Sequence, residues 1–348
     1  MLSHSEISNI MNLDWRNLGF HVIKTDFNIR CQYRDGKWGE LQVFSEDTIS
    51  IPIGATCLHY GQESFEGLKA YMGADEKIRL FRHNENAKRM RASARGILLA
   101  EVPESLFMEA VEKVVMLNRK YIPPHGTGAS LYIRPLLIGT GAEMGVRPAR
   151  EYTFLVFVMP VGPYFKEGFK PVDMMLCRDH DRAAPMGTGH LKVGGNYAAS
   201  IGSIHESHTK GFATAMYLDS KEKKYIDECG PANFFGIRNN TYITPKSSTI
   251  LPSITNKSLM TLAENLGMKV EVRPVPVEEL ASFEEAGACG TAAVITPIHR
   301  VEDPEKGITY TIGDADIPGP VTKKLYETLT GIQKGDLEDP YGWTTILD

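Results

Sequence analysis

The chain runs to 348 residues, 42% hydrophobic and 23% charged, with a net charge of −5. That length allows about two domains and a core large enough to need no metal or disulfide staple. The mildly acidic balance, without a run of Lys and Arg among aromatics, excludes nucleic acid as the expected partner. Five scattered cysteines without a CxxC pair fit reduced thiols in the cytoplasm better than a disulfide framework or a zinc site.

In chain order, the opening MLSHSEISNIMNLDWRNLGF lacks the basic start and continuous apolar run of a secretory signal. Residues 27–33 followed by Arg34-Asp35-Gly36-Lys37 predict a strand entering a DG turn. A second hairpin is expected from 68–71 and 77–81 around Gly73-Ala74-Asp75. Helices are expected at 84–98 and 103–121, the latter with Leu106, Val111, Val114, Val115 and Leu117 on one face. Strands follow at 130–138 and 152–160. The longest apolar run, FLVFVMPV at 154–161, is too short to cross a bilayer and suits a buried strand, so no membrane partner is expected.

Between Gly162 and His190 the composition shifts, which suggests an interdomain linker at 166–186. It separates a first α+β lobe, 1–165, from a second that carries Lys192, 187–348. Past Lys192 a helix is expected over 196–210, stopped by Gly211. Strands at 213–218 and 224–227, a hairpin turning at Asn239-Asn240, a helix at 256–266 ended by Gly267 and a strand at 269–274 come next. A strand near 292–296 and a helix at 321–329 complete an α+β pattern.

Several catalytic signals fail on spacing. His205 and His208 stand three apart, where a metalloprotease helix needs HExxH, and no third ligand is evident; no metal site is expected. There is no GxSxG elbow. GTGAEMG at 139–145 has the wrong spacing for a dinucleotide fingerprint, and GTGHLKVGG lacks the order of a phosphate-binding NTPase loop. Lys192, set among Gly187, Gly189, Gly194 and Gly195, is different. A lysine can form a Schiff base with a carbonyl cofactor, of which pyridoxal 5′-phosphate (PLP) is the common one. Such a site needs an acid at the ring nitrogen, a donor at the ring oxygen, and arginine or N–H groups for phosphate and substrate carboxylate.

Seven blocks carry a resemblance: LHYGQESFEGLKAY (58–71), IRLFRHNENAKRM (78–90), ASLYIRPLLIG (129–139), GHLKVGGNYAAS (189–200), DECGPANFFG (227–236), ILPSITNKSL (250–259) and GTAAVITPIHR (290–300). In this order the chain resembles the fold-type IV PLP enzymes, and within them the branched-chain amino-acid aminotransferases, from about Asp14 to about Tyr341. The resemblance implies two α/β lobes with the active site between them, PLP as cofactor, and a homodimer. It implies Lys192 as the Schiff-base residue, Tyr197 at the ring oxygen and Glu228 at the ring nitrogen, with Asn233 ordering the loop after it. Arg82, the backbone of Ile254 and Thr255, and the hydroxyls of Thr255 and Thr291 would grip the phosphate. Tyr60, Phe65 and Tyr132 would line the substrate pocket, Arg134 would serve the distal carboxylate of glutamate, and turn amides at Thr291 and Ala292 would bind the α-carboxylate. On the residues alone the three aromatics also fit a core, and Arg134 a structural ion pair. The implied reaction passes the amino group of Leu, Ile or Val to 2-oxoglutarate; a D-amino-acid transaminase or an aminodeoxychorismate lyase is the alternative. Ala293 and Thr296 stand where some members carry a redox CxxC, so no thiol switch of that type is expected.

Overall fold

The computed structural model describes residues 13–162 and 169–347. The secretory-signal reading falls largely on 1–12 and the start of the expected linker on 163–168, and both stretches lie outside the described residues. The chain divides into two units: Met1–Lys166 with Leu191–Gly194 and Gly331–Asp348, and Glu167–His190 with Gly195–Thr330.

The first unit contains β1 (Asn28–Arg34), β2 (Lys37–Trp38), β3 (Gln42–Phe44), α1 (Thr56–Tyr60), β4 (Glu63–Phe65), β5 (Leu68–Met72), β6 (Ile78–Phe81), α2 (His83–Gly96), α3 (Glu104–Leu117), β7 (Ser130–Gly139) and β8 (Tyr152–Val161). The DG turn forms as expected, with Asp35 and Gly36 at φ 50° and 79° between the paired Arg34 and Lys37. Central β7 and β8 pair from Ser130↔Val161 to Gly139↔Tyr152. They read as continuous apolar runs because almost every position is buried. The buried stripe of α3 (Phe107, Val111, Val114, Val115) shares a core with Leu131, Ile133 and Phe154 of that sheet.

The second unit contains β9 (Val172–Cys177), all but the first residue of α4 (Gly194–Thr209), β10 (Ala215–Leu218), β11 (Ile226–Cys229), β12 (Ala232–Arg238), β13 (Thr241–Pro245), α5 (Ile254–Asn265), β14 (Lys269–Arg273), β15 (Glu285–Gly290), β16 (Val294–Asp303), β17 (Ile308–Thr311) and most of α6 (Pro320–Lys334). Its sheet runs β11-β10-β9-β16-β15-β12, and β12 pairs back to β11, closing a ring; β13 and β14 extend it and β17 adds to β16. Met174, Leu176, Met216, Phe234, Ala288 and Ile298 fill its core.

Several features differ from the sequence expectation. The expected linker supplies β9, which lies parallel to both β10 and β16 because its alternating apolar side chains belong to the ring's core. The C-terminal β18 (Thr344–Leu347), expected in the second lobe, pairs with β6 of the first unit from Thr344↔Phe81 to Leu347↔Ile78. Helix α4 starts at Gly194, so Gly194 and Gly195 are its first residues and not a separate turn before it.

Candidate active site

In the first unit, Lys192 is fixed by its own backbone. Its N–H donates to Ser93 Oγ of α2 at 2.9 Å. Its carbonyl accepts from the Phe65 N–H at 3.1 Å and from Ser64 Oγ at 3.0 Å, both on β4. The Nζ then stands 4.8 Å from the centre of the Phe65 ring. Gly194 is needed here for space: a Cβ would come within 1.8 Å of Glu63 Oε1. Burial raises the Glu63 carboxyl above its ordinary value, while the Gly194 amide and Arg134 pull it down.

Arg134 packs its guanidinium 4.8 Å from the Phe65 ring and 5.3 Å from the Tyr132 ring, and its Nη2 donates to Tyr132 Oη at 3.0 Å. Tyr132 enters this cluster because Gly67 lacks a Cβ, which would otherwise sit 2.3 Å from the phenol oxygen. Arg134 Nε is buried and has no hydrogen-bond partner among the described residues, so the group retains a donor for an acid. The expected pocket residues Phe65, Tyr132 and Arg134 are thus assembled with Lys192. Tyr60 lies on α1, with its hydroxyl donating to the Met144 carbonyl at 2.5 Å. Arg82 precedes α2 in a left-handed conformation, φ 48°. Its N–H donates to the Trp343 carbonyl at 2.7 Å and its guanidinium lies 5.1 Å from that ring.

In the second unit, Glu228 is 2% exposed and held on both oxygens. Oε1 accepts from the Leu251 N–H at 2.8 Å and Asn233 Nδ2 at 3.2 Å; Oε2 pairs with Arg182 Nε at 2.5 Å. Asn233 therefore binds Glu228 directly. Tyr197 lies in the first turn of α4. Ile254 and Thr255 open α5, where Ser253 Oγ accepts the Asn256 N–H at 3.2 Å. That cap leaves the Ile254 and Thr255 amides, the first two of the helix, outside the intrahelical ladder. Helix α5 packs on β15, and Thr291 and Ala292 form the turn from β15 into β16.

Sequence reasoning missed Arg182, Ser64, Ser93 and Trp343. Ser64 lies inside a block that carries the resemblance, but the role of its hydroxyl depends on a residue 128 positions away. Arg182 sits in a stretch that reads as linker, and nothing local marks it as buried.

A family model described as "Amino-transferase class IV" matches residues 63–301. A branched-chain-amino-acid aminotransferase of Haemophilus influenzae is 49% identical over 97% of this chain and 99% of its own. That of Helicobacter pylori is 47% identical over 96% and 98%. The chain belongs to the branched-chain-amino-acid aminotransferases of class IV. The fold agrees: the Escherichia coli branched-chain amino acid aminotransferase, 28% identical, superposes with a TM-score of 0.79 over 93% of this chain and all of that one. The T.th. branched-chain amino acid aminotransferase with pyridoxamine 5′-phosphate gives 0.78 at 26% identity over 94% of this chain and all of that one.

PLP is the cofactor of this class, and the residues present fit it. The two unladdered amides opening α5 suit a phosphate, the buried carboxylate of Glu228 suits a cationic ring nitrogen, and Lys192 offers a primary amine on a rigid backbone. All five cysteines are free, and burial pushes the Cys229 and Cys289 thiols up.

Proposed function

We infer that this aminotransferase passes the amino group of L-leucine, L-isoleucine or L-valine to 2-oxoglutarate, and that Lys192, Tyr197, Glu228, Arg82, Ile254, Thr255 and Thr291 serve one PLP. The cofactor supplies the electron sink and the carbon that carries the amino group between substrates. Lys192 Nζ takes the proton from the substrate Cα. Glu228 balances positive charge at the ring nitrogen, and Tyr197 donates to the ring oxygen. Arg82, the α5 amides and the hydroxyls of Thr255 and Thr291 hold the phosphate. Tyr60, Phe65 and Tyr132 exclude water around an aliphatic side chain, and the Thr291 and Ala292 amides take the α-carboxylate.

The observation that carries the substrate reading is Arg134, a guanidinium stacked on two aromatic rings with a buried N–H to spare. Apolar walls accept a branched chain, and the same guanidinium accepts the distal carboxylate of glutamate, so one pocket serves both half-reactions. Mixing the holoenzyme with single amino acids and following the cofactor's absorbance tests this. L-Leu, L-Ile, L-Val and L-Glu are expected to bleach the internal-lysine band and D-Ala to leave it; conversion by D-Ala alone would move the chain to the D-amino-acid reading.

A second copy of the chain is the inferred partner. Ile53, Leu58, Met144 and Val146 are 92%, 59%, 68% and 90% exposed on neighbouring segments joined by the Ala55↔Ala142 bridge, and exposed apolar residues grouped in this way suit a protein–protein contact. Sedimentation reading the mass of one chain at micromolar concentration would remove that partner. A cytoplasmic location is inferred from the five free thiols; among the described residues no helix is long and apolar enough to cross a membrane.

A further inference from the structure

We propose that Arg182 is a positioning residue for transamination, acting through Glu228 to keep the proton between that carboxylate and the cofactor's ring nitrogen on the nitrogen. The proposal rests on Glu228 being the ring-nitrogen partner.

Arg182 is 7% exposed and its guanidinium is spent in three directions. Nε meets Glu228 Oε2 at 2.5 Å. Nη1 donates to the Thr249 carbonyl at 2.8 Å and, with Nη2, to the Gly189 carbonyl at 3.3 and 3.4 Å. Gly189 is glycine because a Cβ there would lie 2.3 Å from the Thr249 oxygen, so the two carbonyls converge on one cation. A planar fork holds its donors in fixed directions towards a carboxylate and two carbonyls, whereas the three donors of an ammonium radiate from one nitrogen and cannot span the same acceptors without moving them.

Among the described residues, the ionisable groups beside Glu228 include Arg182, its neighbour Asp227, and the thiols of Cys229 and Cys289, which burial keeps protonated. Asp227 Oδ2 accepts from Thr249 Oγ1 at 2.5 Å, and Arg182 acts on Asp227 too. Arg182 is therefore a cation shared by two buried acids. A buried carboxylate facing a pyridine nitrogen without a cation behind it favours the neutral pair, acid plus uncharged ring, since that avoids separated charge in a low-dielectric interior. A guanidinium on the far oxygen stabilises the carboxylate, makes it the weaker base, and leaves the proton on nitrogen. The charged ring is the stronger electron sink when Lys192 removes the Cα proton.

Holoenzyme loaded with PLP labelled with ¹⁵N in the ring reports the proton directly by NMR, beside circular-dichroism melts. The wild type is expected to show a protonated nitrogen from about pH 6 to about pH 9. Arg182→Met is expected to move the signal towards neutral pyridine. It should also lower kcat on the order of tenfold or more, as losses of an outer partner do, with KM for leucine near its original value. Arg182→Lys keeps a cation and covers the case in which the methionine variant does not fold; its nitrogen is expected to lose its proton roughly one pH unit lower than wild type. A folded Arg182→Met with an unmoved signal, or Arg182→Lys titrating with wild type, overturns the proposal. Glu228→Gln separates the two readings. If it leaves the nitrogen protonated, the assignment of Glu228 fails; if it moves the signal and the Arg182 variants do not, only the role of Arg182 fails.

Discussion

Asp227 shows how closely one residue's environment can differ from that of its neighbour in sequence. Glu228 has partners on both oxygens, whereas Asp227 Oδ1 is buried with no hydrogen-bond partner among the described residues. Burial raises the Asp227 carboxyl above its ordinary 3.8, against Thr249, Ser247 and Arg182, which pull it down. The sign follows: the folded state binds this proton more tightly than the unfolded chain. Stability from this group is therefore greatest in acid and declines as pH rises through the interval between the ordinary and the raised value. Asp227→Asn removes the charge and keeps an acceptor for Thr249. It is expected to stabilise the protein at pH 8 by about 1–3 kcal/mol, the cost of a buried group left unsatisfied, with the gain shrinking towards pH 4. Urea titrations at the two pH values check this; an equal gain at both would mean that Asp227 is not the titrating group. Glu228 was singled out in the sequence because its block carries the resemblance. Arg182 was not, because its partners Thr249 and Glu228 lie 67 and 46 positions away and no local pattern encodes a guanidinium fork.

At the scale of elements, the proposed phosphate grip would make the start of α5 couple stability to cofactor retention. Ser253 Oγ takes the Asn256 amide, which fixes the first turn and with it the direction of the Ile254 and Thr255 amides. Ser253→Ala is expected to cost about 1 kcal/mol of stability and to weaken PLP retention by a few-fold, because frayed amides no longer converge on a phosphate. Dialysis of the holoenzyme against phosphate buffer measures the second effect, and unchanged retention beside lowered stability would detach the helix from the phosphate. Elements of this kind were readable where residue type dictates backbone. Asp35-Gly36 and Asn239-Asn240 mark hairpins because both positions of each turn take positive φ, 50° and 79° in one and 49° and 56° in the other. Strand β15, EAGACG, was unreadable for the opposite reason. Its small residues carry little strand preference of their own, and neighbouring side chains set their size: a Cβ on Gly287 would sit 2.6 Å from the Phe235 ring, while Ala286 and Ala288 join Phe234 and Ile298 in the core. The strand is made by its neighbours Asn233↔Cys289 to Ile237↔Glu285 on one side and Gly290↔Val294 to Ala286↔Ile298 on the other.

Over the whole chain, the largest departure from the sequence reading is the C-terminal tail. Composition places residues 331–348 with what precedes them, whereas β18 completes the edge of the first unit's sheet beside β6, more than 250 positions earlier. Pairing over such a distance leaves no trace in local periodicity, which is why only the structure reveals it. The consequence reaches the proposed phosphate grip. Trp343 accepts the Arg82 N–H, lies under its guanidinium, meets Phe81 edge-on at 5.8 Å and stacks on Tyr341 at 4.2 Å. Arg82 keeps its left-handed backbone, φ 48°, against the intrinsic cost of that conformation for a residue with a Cβ. Removing residues 343–348 takes away the hydrogen bond and the ring that hold Arg82 there and uncovers β6 as a bare edge. Loss of one charge-assisted phosphate contact is worth about 1.5–3 kcal/mol, so PLP affinity is expected to fall by roughly tenfold or more, measured by cofactor fluorescence on titration. Trp343→Ala in the full chain retains β18 and its pairing while removing the ring. It should weaken PLP with a smaller loss of melting temperature than the truncation. Truncated protein that binds PLP as tightly as the full chain would show that Arg82 holds its conformation, or the phosphate is held, without the tail.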